Sequence, residues 1–248
     1  MLSLFITMLR IKPSFQNVSK FTRFYSKFAA EKQPVLRIGS LAPNFQAPST
    51  HGPIDFHKFI DNKWTVLFSH PADFTPVCTT ELGGFAKLQK DFAAIDTQLI
   101  GLSADSIEEH KKWIKDIDEI GGSQSQVEYP IIADESREVA LLYNMLDEKG
   151  FKDLATALTI RNVFVIDPSK KIRLYVVYPA SVGRNISEIL RVVKALQTTD
   201  KLGVATPANW QGGDDVIIPP SVSTEDAQAK FGDVRVVKPY LRYTKSTK

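Results

Sequence analysis

The 248-residue sequence has a single cysteine, Cys78, and that scarcity excludes two arrangements at once. The chain cannot close a disulfide within itself, and one thiol cannot build a zinc site from paired cysteine ligands. Histidine is sparse as well. His51, His57, His70 and His110 are scattered without ligand-pair spacing, so no metal centre is expected; no bound cofactor is expected either. No stretch approaches the roughly 18 uninterrupted apolar residues of a membrane-spanning helix. Acid is missing before Glu31, while residues 1–25 carry Arg10, Lys12, Lys20 and Arg23. Without those four charges the net +3 of the chain becomes −1, too weak a field for a general nucleic-acid binder.

The acid-free segment MLSLFITMLRIKPSFQNVSKFTRFYSKFAA mixes Leu, Phe and Ile with Arg, Lys and Ser, the make-up of a mitochondrial transit peptide. Arg10 and Lys12 interrupt the apolar run that a secretory signal needs. Arg23, Phe24, Tyr25 and Ser26 resemble the matrix-protease pattern of arginine, any residue, an aromatic and a small residue. The expectation is a leader over 1–25, cleavage before Ser26 and a mitochondrial matrix location; a disordered tail is the alternative.

With 43% hydrophobic residues the remainder can bury a substantial core, and no internal repeat is visible. After loop-like LRIGSLAPNFQAPSTHG, the β-branched run WTVLFSH (64–70) predicts a strand buried on both faces. Leu82, Phe85, Leu88 and Phe92 recur at helical spacing, predicting a helix from Pro76 to Phe92 with Thr75 as N-cap. TQLIGLSAD (97–105) predicts a second strand. Ser106 and Glu109 form a capping box for a helix bearing Ile107, Trp113, Ile114, Ile117 and Ile120, stopped by Gly121 and Gly122. YPIIAD (129–134) predicts a strand and 136–146 a helix. NVFVIDPSKKIRLYVVYP (162–179) predicts two antiparallel strands about an Asp-Pro turn. Asn185 and Glu188 cap a last long helix whose apolar side holds Ile186, Ile189, Leu190, Val193 and Leu196. The pattern is that of an α/β fold with a mixed sheet covered by helices on both faces. From residue 198 periodicity fades, and a small C-terminal module is expected over 198–248, packed on the body or on a partner subunit.

A lone cysteine is ordinarily a small buried hydrophobe. Here Cys78 falls in the first turn of a helix, where unpaired N–H groups and the positive end of the helix dipole favour the thiolate, the nucleophilic form. Pro71 and Pro76 stiffen the turn. The Thr75 hydroxyl can cap the helix and point toward whatever the sulfur attacks, although capping alone would explain a threonine there.

PADFTPVC fits the peroxiredoxin pattern P-x-x-x-T-x-x-C, with Pro71, Thr75 and Cys78 in register and Glu81 following. SHPADFTPVCTTELG, YPASVGRN, TPANWQGGDDVIIPP and YLRYT are similar to the one-cysteine branch of that family, in its fungal mitochondrial form, from about residue 35 to the C-terminus. The resemblance implies a thioredoxin-like domain over 35–197 and a C-terminal dimerisation module. It assigns Arg161 to the thiolate and peroxide oxygens, Arg184 to Glu81, and His70 to the neighbourhood of the sulfur, where a purely structural histidine is an equal alternative. It implies attack of the Cys78 thiolate on hydrogen peroxide or an organic hydroperoxide, giving a sulfenic acid. Arg161, the Thr75 hydroxyl and helix-end N–H groups would stabilise the leaving oxygen. The sulfur is expected at the mouth of its pocket, open to small oxidants. With no second cysteine, an external thiol must restore it, through glutathione or the thioredoxin system, in the service of antioxidant defence. A homodimer paired through edge strands is implied as well.

Three other readings compete. Some one-cysteine relatives are phospholipases, but here Lys63 stands where the serine nucleophile would be, with His57 in the histidine position and Ser169 in place of the aspartate. A cysteine hydrolase would pair Cys78 with His70, although no hydrolase signature surrounds them. A peroxide sensor or holdase would use the same fold without turnover.

Overall fold

The computed structural model describes residues 34–122 and 125–246. The expected leader over 1–25 and its cleavage point lie outside them.

The described chain opens with a short antiparallel pair, β1 (Gln46–Ala47) and β2 (Ile54–Asp55), and one helical turn, α1 (Phe56–Phe59). The main sheet follows: β3 (Trp64–Ser69), β4 (Thr97–Ser103), β5 (Ile131–Ala133), β6 (Arg161–Ile166) and β7 (Ile172–Tyr178). Their order is β5-β4-β3-β6-β7. β3 and β5 run parallel to β4, whereas β3–β6 and β6–β7 are antiparallel, giving the mixed sheet expected. β3 is buried at every position because it is central. Its two-residue period sends Trp64, Val66 and Phe68 to one face and Leu67 to the other.

On the first face lie α2 (Pro76–Ala93), α3 (Ile107–Gly121) and α6 (Ile186–Leu202). Leu82, Phe85, Phe92, Trp113, Ile117, Ile189 and Val193 fill the space beneath them. On the opposite face Phe56, Ile100, Leu102, Tyr143 and Phe164 form a second core. Between β5 and β6 come two short helices, α4 (Glu138–Leu142) and α5 (Glu148–Lys152).

The structure revises several expectations. Ile120 is 75% exposed, off the buried stripe. The helix expected over 136–146 is confined to α4 because the Asp134 carboxylate accepts from the N–H groups of Val139 and Ala140, fixing a later start. It ends early where Asn144 takes φ +54°. Glu188 does not return to its cap; Asn185 caps α6, and the Glu188 carboxylate pairs with Arg191. α6 runs past Gln197, where the expected helix ends, to Leu202, and Gly203 closes it at φ +67°.

The C-terminal module consists of β8 (Val216–Ile217), α7 (Thr224–Phe231), β9 (Arg235–Lys238) and β10 (Leu241–Thr244), its sheet ordered β8-β10-β9. Val204, Trp210, Val216, Ile218, Ala227 and Phe231 make its own core, joined by Ala195 of α6. No helix among the described residues is long and apolar enough to cross a membrane.

Candidate active site

The carboxyl end of β3 delivers His70 and Pro71, and the chain then turns through Thr75 into α2. Pro76 opens this helix at a position where a missing N–H costs nothing. The first helical bond runs from the Thr79 N–H to the Thr75 carbonyl at 3.0 Å, so the N–H groups of Val77 and Cys78 lie in the unpaired first turn. Thr75 is the N-cap residue, but its side chain makes no cap hydrogen bond. Its hydroxyl donates instead to the Ala72 carbonyl at 2.8 Å.

Cys78 has 0% exposure, which corrects the expectation of a sulfur open at a pocket mouth. It is buried against charge. Arg161, the first residue of β6, places Nη1 3.3 Å from Sγ. The same Nη1 donates to Glu81 Oε2 at 2.6 Å, while Nε and Nη2 donate to the Ala180 carbonyl at 3.0 and 2.6 Å. Of the five N–H groups of a guanidinium, these contacts occupy four, and one hydrogen on Nη2 is left for a ligand oxygen.

Arg184 completes the cluster. Its backbone N–H and Nε donate to Glu81 Oε1 at 2.7 and 2.9 Å, and Nη2 donates to Oε2 at 2.8 Å. Nη1 donates to the carbonyls of Ser69 and Asn162, both at 2.9 Å, locking the guanidinium to β3 and β6. Burial works against a charged Glu81, but the hydrogen bonds and charge of Arg184, with the charge of Arg161, outweigh it and hold the carboxyl below its usual range.

The cluster carries two guanidinium charges and one carboxylate. With a neutral thiol it keeps a net charge of about +1 inside the protein, and with a thiolate it closes at zero. That imbalance, added to the helix-end N–H groups, makes the surroundings of the sulfur complementary to negative charge. The structure brings Arg161 to Cys78 and Arg184 to Glu81, and Glu81 binds both arginines. The Ala180 carbonyl, which aims Arg161, is a backbone group that no residue pattern could have revealed.

His70 does not bond to the sulfur. Its Nε2 meets Asp73 Oδ1 at 2.8 Å, and its Nδ1 is buried without a partner. Burial is the main cause holding His70 below the usual imidazole range. Asp73 Oδ2 is in turn 2.6 Å from His110 Nδ1. Two of the histidines scattered in sequence therefore meet in space. With Asp73 they are the one His/Cys/Asp/Glu set among the described residues whose donor atoms converge, within 4.8 Å. Their contacts are already hydrogen bonds, so a cation would have to displace the protons they share.

The rival sites do not assemble. His57 Nε2 donates to the Ala42 carbonyl at 2.7 Å and Ser169 to Asp167 at 2.6 Å, with no hydrogen bond linking His57, Lys63 and Ser169 among the described residues. The partner of Cys78 is an arginine, where a cysteine hydrolase needs an imidazole base.

Residues 38–175 match the AhpC/TSA family, and residues 195–233 match the C-terminal domain of 1-Cys peroxiredoxin. The chain is 57% identical over 222 residues to the mitochondrial peroxiredoxin PRX1 of Saccharomyces cerevisiae, covering 89% of this chain and 85% of the yeast protein. Peroxiredoxin-6 of Gallus gallus is 46% identical over 219 residues, covering 85% and 98%. The solved structure of a yeast mitochondrial 1-Cys peroxiredoxin, described with thiol resolution through glutathione and thioredoxin systems, superposes with a TM-score of 0.77 at 55% identity, covering 85% of this chain and 100% of that one. A thiol that can be restored only from outside, seated among arginines on this thioredoxin-like sheet, thus has close kin on both measures: the chain belongs to the AhpC/TSA family, among the 1-Cys peroxiredoxins, and is a thiol-dependent peroxidase.

Proposed function

We propose that Cys78 is the peroxidatic cysteine and that Arg161, Thr75 and the first turn of α2 form its peroxide site. The observation that carries this is the 3.3 Å contact between Arg161 Nη1 and Cys78 Sγ inside a cluster that reaches neutrality only with a thiolate. The thiolate attacks the terminal oxygen of R–O–O–H in line; the S–O bond forms as the O–O bond breaks, sulfur is oxidised by two electrons, and RO⁻ leaves to take a proton from solvent. The O–H stays on the transferred oxygen, giving Cys–S–O–H.

Because the Thr75 proton is committed to the Ala72 carbonyl, its hydroxyl can only accept a further bond. Thr75 therefore orients the substrate O–H. The developing charge on the leaving oxygen falls to the free Arg161 N–H and to the amides of Val77 and Cys78. Pro71 stiffens the loop, while Glu81 and Arg184 hold Arg161 in place.

An external thiol R′S–H then attacks the sulfenic acid, releasing water and leaving a mixed disulfide; a second thiol frees Cys78 and departs as R′S–SR′. The first turn of α2 must move to admit the peroxide and open further for the bulkier thiol, since the sulfur has 0% exposure. Glutathione and the thioredoxin system are the candidate donors. We assign the protein to the mitochondrion, in the matrix after loss of residues 1–25, with a peroxidase domain over 35–197 and a C-terminal module over 198–248. β7 is an edge strand of the main sheet, covered by Gly39 and Ser40 only at Ile172, and it exposes Tyr175 and Val177, which supports homodimerisation through that strand. The deciding assay is peroxide consumption with reduced glutathione or a thioredoxin system: turnover in wild type, lost in Cys78→Ser, supports the enzyme, and a single stoichiometric oxidation without turnover supports the sensor reading instead.

A further inference from the structure

We infer that His110 is a positioning residue for peroxide reduction: through Asp73 it holds the Pro71–Thr75 loop, and with it the Thr75 hydroxyl, in register with Cys78. The inference rests on the roles proposed above for Cys78 and Thr75.

His110 Nε2 lies 3.1 Å from the Ile132 carbonyl of β5, which can only accept, so this nitrogen carries a proton. Its Nδ1 lies 2.6 Å from Asp73 Oδ2, and Asp73 Oδ1 receives the His70 Nε2–H at 2.8 Å. Burial alone would push the Asp73 carboxyl up, yet hydrogen bonds from both imidazoles hold it below the ordinary range. Each ring nitrogen of His110 thus faces an acceptor, Nδ1 the Asp73 carboxylate and Nε2 the Ile132 carbonyl, with the His110 side chain 0% exposed and that of Asp73 1%. His70 is then the neutral Nε2–H tautomer with a bare Nδ1, matching the missing partner on that atom.

Three further contacts say what this pair restrains. The Asp73 N–H donates to Asp105 Oδ2 at 3.0 Å, and that oxygen also receives the Ser103 hydroxyl at 2.7 Å. The next residue, Phe74, sits at φ +54°, a conformation a bulky side chain resists and which persists only where neighbours over-determine it. Thr75 follows directly. Three residues beyond His110 on α3, Trp113 donates from Nε1 to Thr79 Oγ1 at 3.2 Å, and Thr79 donates to the Thr75 carbonyl at 2.8 Å. One face of α3 thus grips the strained loop at Asp73 and the first turn of α2 at Thr79, on either side of the residue that orients the substrate.

The test compares wild type and His110→Gln in two reactions of the same sulfur: stopped-flow oxidation by hydrogen peroxide, and alkylation by iodoacetamide, which needs the thiolate but no oriented O–O bond. The expected result is oxidation slowed about tenfold with alkylation within twofold of wild type. Unchanged oxidation, or an equal fall in both rates, overturns the inference. Should His110→Gln not fold, histidine ¹⁵N NMR of the wild-type protein decides: protons on both His110 nitrogens and on one His70 nitrogen support it. A singly protonated His110, or a stoichiometric divalent cation found by elemental analysis, overturns it. A wild-type protein that does not react with peroxide would instead sink the reading of Cys78.

Discussion

Replacing Arg161 by alanine removes the charge nearest the sulfur and leaves Glu81 with Arg184 as an internally neutral pair. A thiolate at Cys78 then has no cluster partner. Two unit charges at the observed 3.3 Å interact by about 5 kcal/mol at an effective dielectric constant of about 20, an upper bound because the α2 amides and any entering water recover part of it. Losing one pre-aimed donor to a developing oxyanion typically costs roughly 100- to 1,000-fold in rate, equivalent to about 3–4 kcal/mol, within that bound. Arg161→Ala should therefore slow Cys78 oxidation by hydrogen peroxide by about that factor, measured by stopped-flow fluorescence or by competition with a peroxidase of known rate. Arg161→Lys keeps the charge but cannot reproduce the fork on the Ala180 carbonyl, so its rate should fall between the two. An Arg161→Ala protein that folds and reacts within threefold of wild type would refute the electrostatic argument.

Three other perturbations have defined outcomes. Glu81→Gln leaves two buried guanidinium groups short of their shared anion and should cost about 3–5 kcal/mol in urea unfolding; a loss under 1 kcal/mol would contradict the cluster described. Glu81 and Asp73 are both held below the usual carboxylate range when folded, so their stabilisation is fully present above pH of about 4–5 and is lost as pH falls through their folded values. Unfolding free energy measured against pH should drop on the acid side, with a shallower slope in Glu81→Gln. Thr75→Val should slow peroxide oxidation by about tenfold or more while leaving alkylation nearly unchanged, and Thr75→Ser, which keeps the acceptor oxygen, should recover most of the loss.

The helices and the central strands were legible because their signals are local. The apolar run of β3, the box of Ser106 and Glu109, and the proline at the start of α2 each act over a few residues, and each element forms where expected. The short α4 is not legible in the same way because its start depends on the Asp134 carboxylate, a tertiary contact that overrides helical propensity. At the site, Cys78 and Thr75 stand out by position on one helix start. Arg161 and Arg184 come only through the family resemblance, since each is separated from the sulfur by more than 80 residues and each alone reads as an ordinary strand-end or loop arginine. The Asp73–His110 contact bridges 37 residues and has no spacing to betray it. The burial of Cys78, ordinary for a lone cysteine, arises from α2 packing onto a sheet assembled from distant segments.

The most direct test of the account is intact-protein and peptide mass spectrometry after one equivalent of hydrogen peroxide in the presence of dimedone, which traps sulfenic acid. The account expects a single dimedone adduct, confined to Cys78 and absent from Arg161→Ala on the same timescale. Unmodified protein, or oxidation distributed over methionines with Cys78 intact, would contradict it.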